Sequence, residues 1–228
     1  MSFSPNGKLL ATASGDGTAK IWSLDGQELH TLKGHEGIVP DVSFSPEGKL
    51  IATASGDGTA KIWSLDGQEL HTLKGHEKLV NQVSFSPNGK LIATASFDQT
   101  AKIWSLDGQE LHTFKGHEKL VNQVSFSPNG KLIATASKDG TAKIWSLDSQ
   151  ELHTLKGHEK LVNQVIIILP DGELLTIAGN DGTAKVLQWE DVSLENFMAE
   201  GCALISDHLK HNPNVSESDK HLCDDVLP

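Results

Sequence analysis

The chain repeats one 41-residue sentence. Residues 2–42, 43–83, 84–124 and 125–165 are near copies, and residues 166–189 begin a fifth. The second and third copies differ only at Glu47/Asn88, Gly56/Phe97, Gly58/Gln99 and Leu73/Phe114. The second and fourth differ only at Glu47/Asn129, Gly56/Lys138 and Gly67/Ser149. A fixed period near 40 residues means that each unit buries an apolar face against the next, so the array is the fold. Such repetition also argues against an enzyme, because chemistry needs one asymmetric site.

Within one copy the residues predict strands. Apolar residues alternate in Val-Ser-Phe-Ser at residues 42–45, which is the period of a half-buried strand. Pro46 and Gly48 make a turn. Residues 50–55, 59–64 and 69–73 then read as three more strands, separated by Gly56-Asp57-Gly58 and Asp66-Gly67 turns. Four short antiparallel strands per unit make one blade of a β-propeller. The expected architecture is all-β: about five blades over residues 1–189, the last lacking its outer strand, followed by a helical tail over 190–228.

These residues carry a family resemblance. Gly34-His35 followed by Ile62-Trp63 resembles the Gly-His…Trp-Asp frame of WD-repeat propellers, and Gly-His recurs at 75–76, 116–117 and 157–158. Trp recurs at 22, 63, 104 and 145, while Ser23, Ser64, Ser105 and Ser146 replace the name-giving Asp. The resemblance implies a hydrogen-bonded tetrad in each complete blade. By motif the sets are His35, Ser55, Asp57 and Trp63; then His76, Ser96, Asp98 and Trp104; then His117, Ser137, Asp139 and Trp145. Ser, His and Asp together also suggest a nucleophilic triad. Three equal copies fit a structural network better, and the copies offer no unique polar residues for a hydrolytic site in a central channel. No catalytic residue, cofactor or metal is therefore expected. The second series, His30, His71, His112 and His153, falls on the outer strands, where whole stacked sheets keep equivalent positions too far apart to share an ion.

Function is sought where the copies disagree. The position before the tetrad Asp reads Gly15, Gly56, Phe97, Lys138 and Asn180. The loop after Gly-His reads Gly-Ile-Val-Pro-Asp at 37–41 and Lys-Leu-Val-Asn-Gln in the next three copies. In the family both loops lie on the top face, where partners dock. Phe97, Lys138, Leu79, Asn81, Leu120, Asn122, Ile38 and Asp41 are the candidate partner-binding residues. Drift in tolerant turns is the competing explanation.

Charge and composition narrow the partners. Net charge is −11, and all 19 basic residues are Lys. Without Arg the chain lacks the fork that grips phosphates and base edges, so no nucleic acid is expected. The longest aliphatic run, residues 165–169, is too short to span a bilayer. Both cysteines, Cys202 and Cys223, lie in the tail, and no signal peptide is visible at the N-terminus. The reading is a cytoplasmic protein-interaction scaffold with an unidentified protein partner.

Both ends are irregular. Met1 fills the slot of Val42, so the first copy has Ser14, Asp16 and Trp22 but no Gly-His before it. The fifth has Gly179 for Ser and Leu187 for Trp. Three readings stay open: a piece of a longer array, self-association into a larger ring, or closure as five blades. In the tail Leu194, Phe197, Met198, Cys202, Ile205 and Leu209 form a helical stripe capped by Ser193 and stopped at Asn212-Pro213. It resembles the appendage of bacterial multi-repeat WD proteins, and it either docks on the last blade or binds a partner.

Overall fold

The computed structural model describes residues 1–156, 161–168, 174–180 and 182–188. These residues form five antiparallel sheets and no helix. Blade one holds β1 (Ser2–Phe3), β2 (Leu9–Ala13), β3 (Ala19–Ser23) and β4 (Glu28–Leu32). Blade two holds β5 (Asp41–Phe44), β6 (Leu50–Ala54), β7 (Thr59–Ser64) and β8 (Glu69–Lys74). Blade three holds β9 (Val80–Phe85), β10 (Leu91–Ser96), β11 (Ala101–Ser105) and β12 (Glu110–Phe114). Blade four holds β13 (Val121–Phe126), β14 (Leu132–Ser137), β15 (Ala142–Ser146) and β16 (Glu151–Leu155). Blade five holds β17 (Val162–Ile168), β18 (Leu174–Gly179) and β19 (Ala184–Gln188). The helical tail expected over 190–228 lies outside the described residues.

Each sheet runs in chain order from inner to outer strand. The first strands of successive blades pack on each other, β1 on β5, β5 on β9, β9 on β13 and β13 on β17. Among the described residues no comparable packing joins β17 back to β1.

Strand alternation gives every blade two unlike faces. In blade two Ile51 pairs with Trp63 and Thr53 with Lys61, while Ala52 pairs with Ile62 and Ala54 with Ala60. Successive residues point to opposite sides of a strand. One face is therefore bulky, with Phe44, Ile51 and Trp63. The other is shallow, with Ala52, Ala54, Ala60, Ile62 and Leu73. The core forms where the shallow face of one blade takes the bulky face of the next. Ala52, Ala54, Ala60, Ile62 and Leu73 cluster with Val80, Val83, Phe85, Ile92 and Trp104 of blade three. The same arrangement joins blades one and two, and three and four. At the fourth junction Ala134, Ala136, Ala142 and Ile144 meet Val162, Val165 and Ile177. Alanines opposite an indole leave room for its rings, which is how such layers reach close packing.

The inner strands are also stitched together by side chains. Gln82 Oε1 accepts from the Val124 amide at 2.7 Å, and Gln123 Oε1 from the Val165 amide at 2.6 Å. Asp41 occupies the same repeat position, and its Oδ2 accepts from the Val83 amide at 3.1 Å. The Asn81 amide donates to the Asn122 carbonyl at 2.7 Å, and Asn122 to the Val162 carbonyl at 2.9 Å.

Candidate functional site

The Gly-His loop precedes blades two, three and four, between the outer strand of one sheet and the inner strand of the next. His35 thereby lands on the bulky face of blade two with a side chain only 2% exposed. Its Nδ1 lies 2.9 Å from Asp57 Oδ2, and its Nε2 lies 2.7 Å from Thr53 Oγ1. The Trp63 indole N–H donates to the same Thr53 oxygen at 2.8 Å. One tautomer satisfies every group: Nδ1–H donates to Asp57, and the Thr53 hydroxyl donates to Nε2 while accepting from the indole. Blades three and four repeat the set with His76, Asp98, Thr94 and Trp104, and with His117, Asp139, Thr135 and Trp145.

The hydroxyl member is thus Thr53, Thr94 or Thr135, and not Ser55, Ser96 or Ser137 as the motif suggested. Register is the reason. Trp63 pairs with Ile51, so Thr53 is its diagonal neighbour on the same face, while Ser55 lies two residues further on. Ser55 serves the turn instead: its hydroxyl accepts from the Asp57 amide at 3.2 Å and donates to the Gly37 carbonyl at 3.3 Å. Ser96 and Ser137 do the same with the Asp98 and Asp139 amides and with the Leu79 and Leu120 carbonyls. Alternation alone cannot separate Thr53 from Ser55, because both have the same parity. Only the pairing of the second and third strands does.

Burial and bonding set the charges. Burial holds the His35 and His117 imidazoles below their usual value, against the pull of Asp57 and Asp139, so the rings stay neutral. Burial alone would raise Asp57, but hydrogen bonds from Thr59, His35 and the Glu36 amide bring it down to about 2. Asp98 and Asp139 are lowered in the same way. Thr53, Thr94 and Thr135 are fully buried, so the hydroxyl nearest each imidazole has no access to a substrate. Gly34 completes the motif: it sits at φ 151°, and a Cβ there would come within 3.4 Å of the Trp63 ring and 3.0 Å of Glu69 Oε2.

Blade one has half of this brace. Trp22 donates to Thr12 Oγ1 at 2.8 Å, and Asp16 bonds Thr18. Trp22 is half-buried, whereas Trp63, Trp104 and Trp145 are buried to 1%.

The variable positions come together in pairs. The Gly56 amide donates to the Ile38 carbonyl at 2.8 Å, Phe97 to Leu79 at 2.9 Å, Lys138 to Leu120 at 3.0 Å and Asn180 to Leu161 at 2.9 Å. Blades two to five therefore each join the second turn to the loop before the blade through the same backbone bond, with different side chains on it. Ile38 and Lys138 are exposed; Phe97, Leu79 and Leu120 are half-buried. Asn81, Asn122 and Asp41 fall elsewhere. They line a polar cleft along the inner strands with Gln82 and Gln123, and their side chains are committed to the bonds between blades. The outer-strand series pairs with the isoleucines of the third strands, His30 with Ile21 and His71 with Ile62. Among the described residues no three His, Cys, Asp or Glu side chains cluster to hold a metal ion. No helix among them is long and apolar enough to cross a membrane.

Sheets of antiparallel strands stacked through unlike faces and braced by a His–Asp–Thr–Trp network define a repeat protein of propeller blades. The WD domain, G-beta repeat family matches residues 1–23, 26–64, 67–105, 108–146 and 149–187, and the chain belongs to the WD-repeat family. Each matched unit from residue 26 onward opens with the outer strand of one blade and closes on the third strand of the next. Units 26–64, 67–105 and 108–146 therefore each carry both the His and the Trp of one brace. A search of curated proteins returned no match.

Proposed function

We propose that the chain is a non-catalytic scaffold whose blades present the paired turns to a protein partner. WD repeats generally build surfaces for protein–protein interaction. The observation that carries the reading is the set of four equivalent backbone bonds bearing Ile38/Gly56, Leu79/Phe97, Leu120/Lys138 and Leu161/Asn180. Rigid repeats hold these side chains at fixed spacing, so a partner would read a row of apolar and cationic groups. Phe97 is the candidate anchor, since an aromatic beside Leu79 supplies contact area at low entropic cost. A cytoplasmic setting fits an array that no disulfide framework braces.

The test is capture of partners from the native source with wild-type chain, Phe97→Ala and Lys138→Ala. The expected result is a protein retained by the wild type and lost or reduced with the variants, at unchanged melting temperature. Equal retention by all three would sink the reading.

A second reading, self-association of the array into a larger ring, is favoured by the open bulky face of blade one, where Phe3 is 59% and Leu24 60% exposed.

A further inference from the structure

The first and the last described blades carry complementary halves of one junction. At the internal junctions a shallow face covers a bulky face, always in the same direction along the chain. Blade one leaves its bulky face open. Phe3, Leu10, Trp22 and Leu24 line an apolar groove of about 460 Å³ there. Phe3 holds the repeat position of Phe44, Phe85 and Phe126, and Leu24 that of Leu65, Leu106 and Leu147. All six of those residues belong to the interblade clusters. Among the described residues nothing covers the shallow face of blade five. Thr176 pairs with Val186 and Ala178 with Ala184, as Ala134 pairs with Ile144 and Ala136 with Ala142 in blade four. Ile144 is fully buried, yet Val186 is 62% exposed, and Ala184 is exposed as well.

From these faces, and resting on the self-association reading, we infer that the chain docks head to tail on a second copy. The shallow face of blade five, Ala178, Ala184 and Val186, covers the bulky face of blade one, Phe3, Trp22 and Leu24. The occupant is set by the internal junctions, which show four times what this kind of face takes. The stitch between inner strands points the same way. Gln164 holds the position of Gln82 and Gln123 and is exposed. The repeat position of the amide it would accept from, that of Val124 and Val165, is Met1 of the incoming copy. Two bulky faces could not substitute for this contact, because neither offers the alanine floor that an indole needs. The joint uses different faces on the two copies, so it closes into a ring or extends, rather than stopping at a symmetric pair.

The experiment is sedimentation velocity on the full chain, Leu24→Asp and Val186→Asp. Both side chains are exposed, so both variants are expected to keep the wild-type fold, checked by circular dichroism. The wild type should gain mass with concentration. Each variant should weaken association by at least about 30-fold, the scale of a lost interface hot spot. An equimolar mixture of the two should give a one-to-one complex and nothing larger, since each variant keeps the face the other has lost. A wild type that assembles while the mixture stays monomeric would overturn the head-to-tail joint and leave self-association standing. A wild type that stays monomeric to about 100 μM, where even weak micromolar contacts populate, would overturn both.

Discussion

Thr94 joins the Trp104 indole to the His76 imidazole, and both depend on its single oxygen. Thr94→Val keeps the shape and leaves a buried donor and a buried acceptor unsatisfied. The expected cost is about 1–3 kcal/mol, read by urea denaturation with an unchanged m-value. Ser96→Ala should cost less, because its bonds go to the half-exposed turn. The tetrads also set acid stability. The folded chain keeps the His35 and His117 imidazoles neutral, below their ordinary value of 6.5, whereas unfolding frees them to take protons. That contribution is present above the unfolded value and is lost as pH falls below it. Asp57 adds a second loss, as pH falls from the ordinary 3.8 toward about 2. Melting temperature should therefore fall from pH 7 to 5 and again below 4. The first fall should shrink in His35→Gln and His117→Gln, each compared with its own value at pH 7. A further residue sits in strain. Gln99 adopts φ 75° where the equivalent Gly58 has 85° and Gly140 has 87°. Gln99→Gly should stabilise by about 0.5–1 kcal/mol, the left-handed penalty less the glycine entropy cost. The three histidines, aspartates and tryptophans could be named from the Gly-His and Trp motifs. The threonines could not, because strand register rather than residue order selects them.

At the scale of the strand, Asp41 is the one carboxylate among the carboxamides that stitch the inner strands. Burial raises its pKa, against the bonds from the Val83 and Val42 amides. A raised carboxylate binds its proton more tightly when folded, so its contribution improves as pH falls and is unfavourable at pH 7. Asp41→Gln should therefore raise the melting temperature at neutral pH, and the gain should fade toward pH 4. Asp41 and Gln82 share a repeat position, and that was legible in the sequence. That the position bonds the next blade rather than a partner was not, because the bond crosses 42 residues of chain. Strand identities themselves were plain in the alternating and β-branched runs. The observed β6, Leu50–Ala54, and β7, Thr59–Ser64, fall where alternation and turn residues placed them.

At the scale of the whole molecule the described residues form an open stack with unlike ends, and the tryptophans report it. Trp104→Ala should cost about 3–5 kcal/mol, since it empties a closed core. Trp22→Ala, made in the Val186→Asp background that holds the chain monomeric, should cost clearly less, because its face is already half open. Equal losses, measured by thermal denaturation, would mean that blade one is covered in the monomer.

The sequence by itself determined the blades: their number, their strands, the family and the positions free to vary. Those properties follow from local alternation, turn chemistry and period, which each copy carries whole. Tertiary structure alone decided which hydroxyl braces the imidazole, which polar side chains bind neighbouring blades, and which apolar faces stay uncovered. Each of these depends on contacts between strands or between copies, and a repeat written almost identically four times looks the same to its reader whether or not a neighbour covers it.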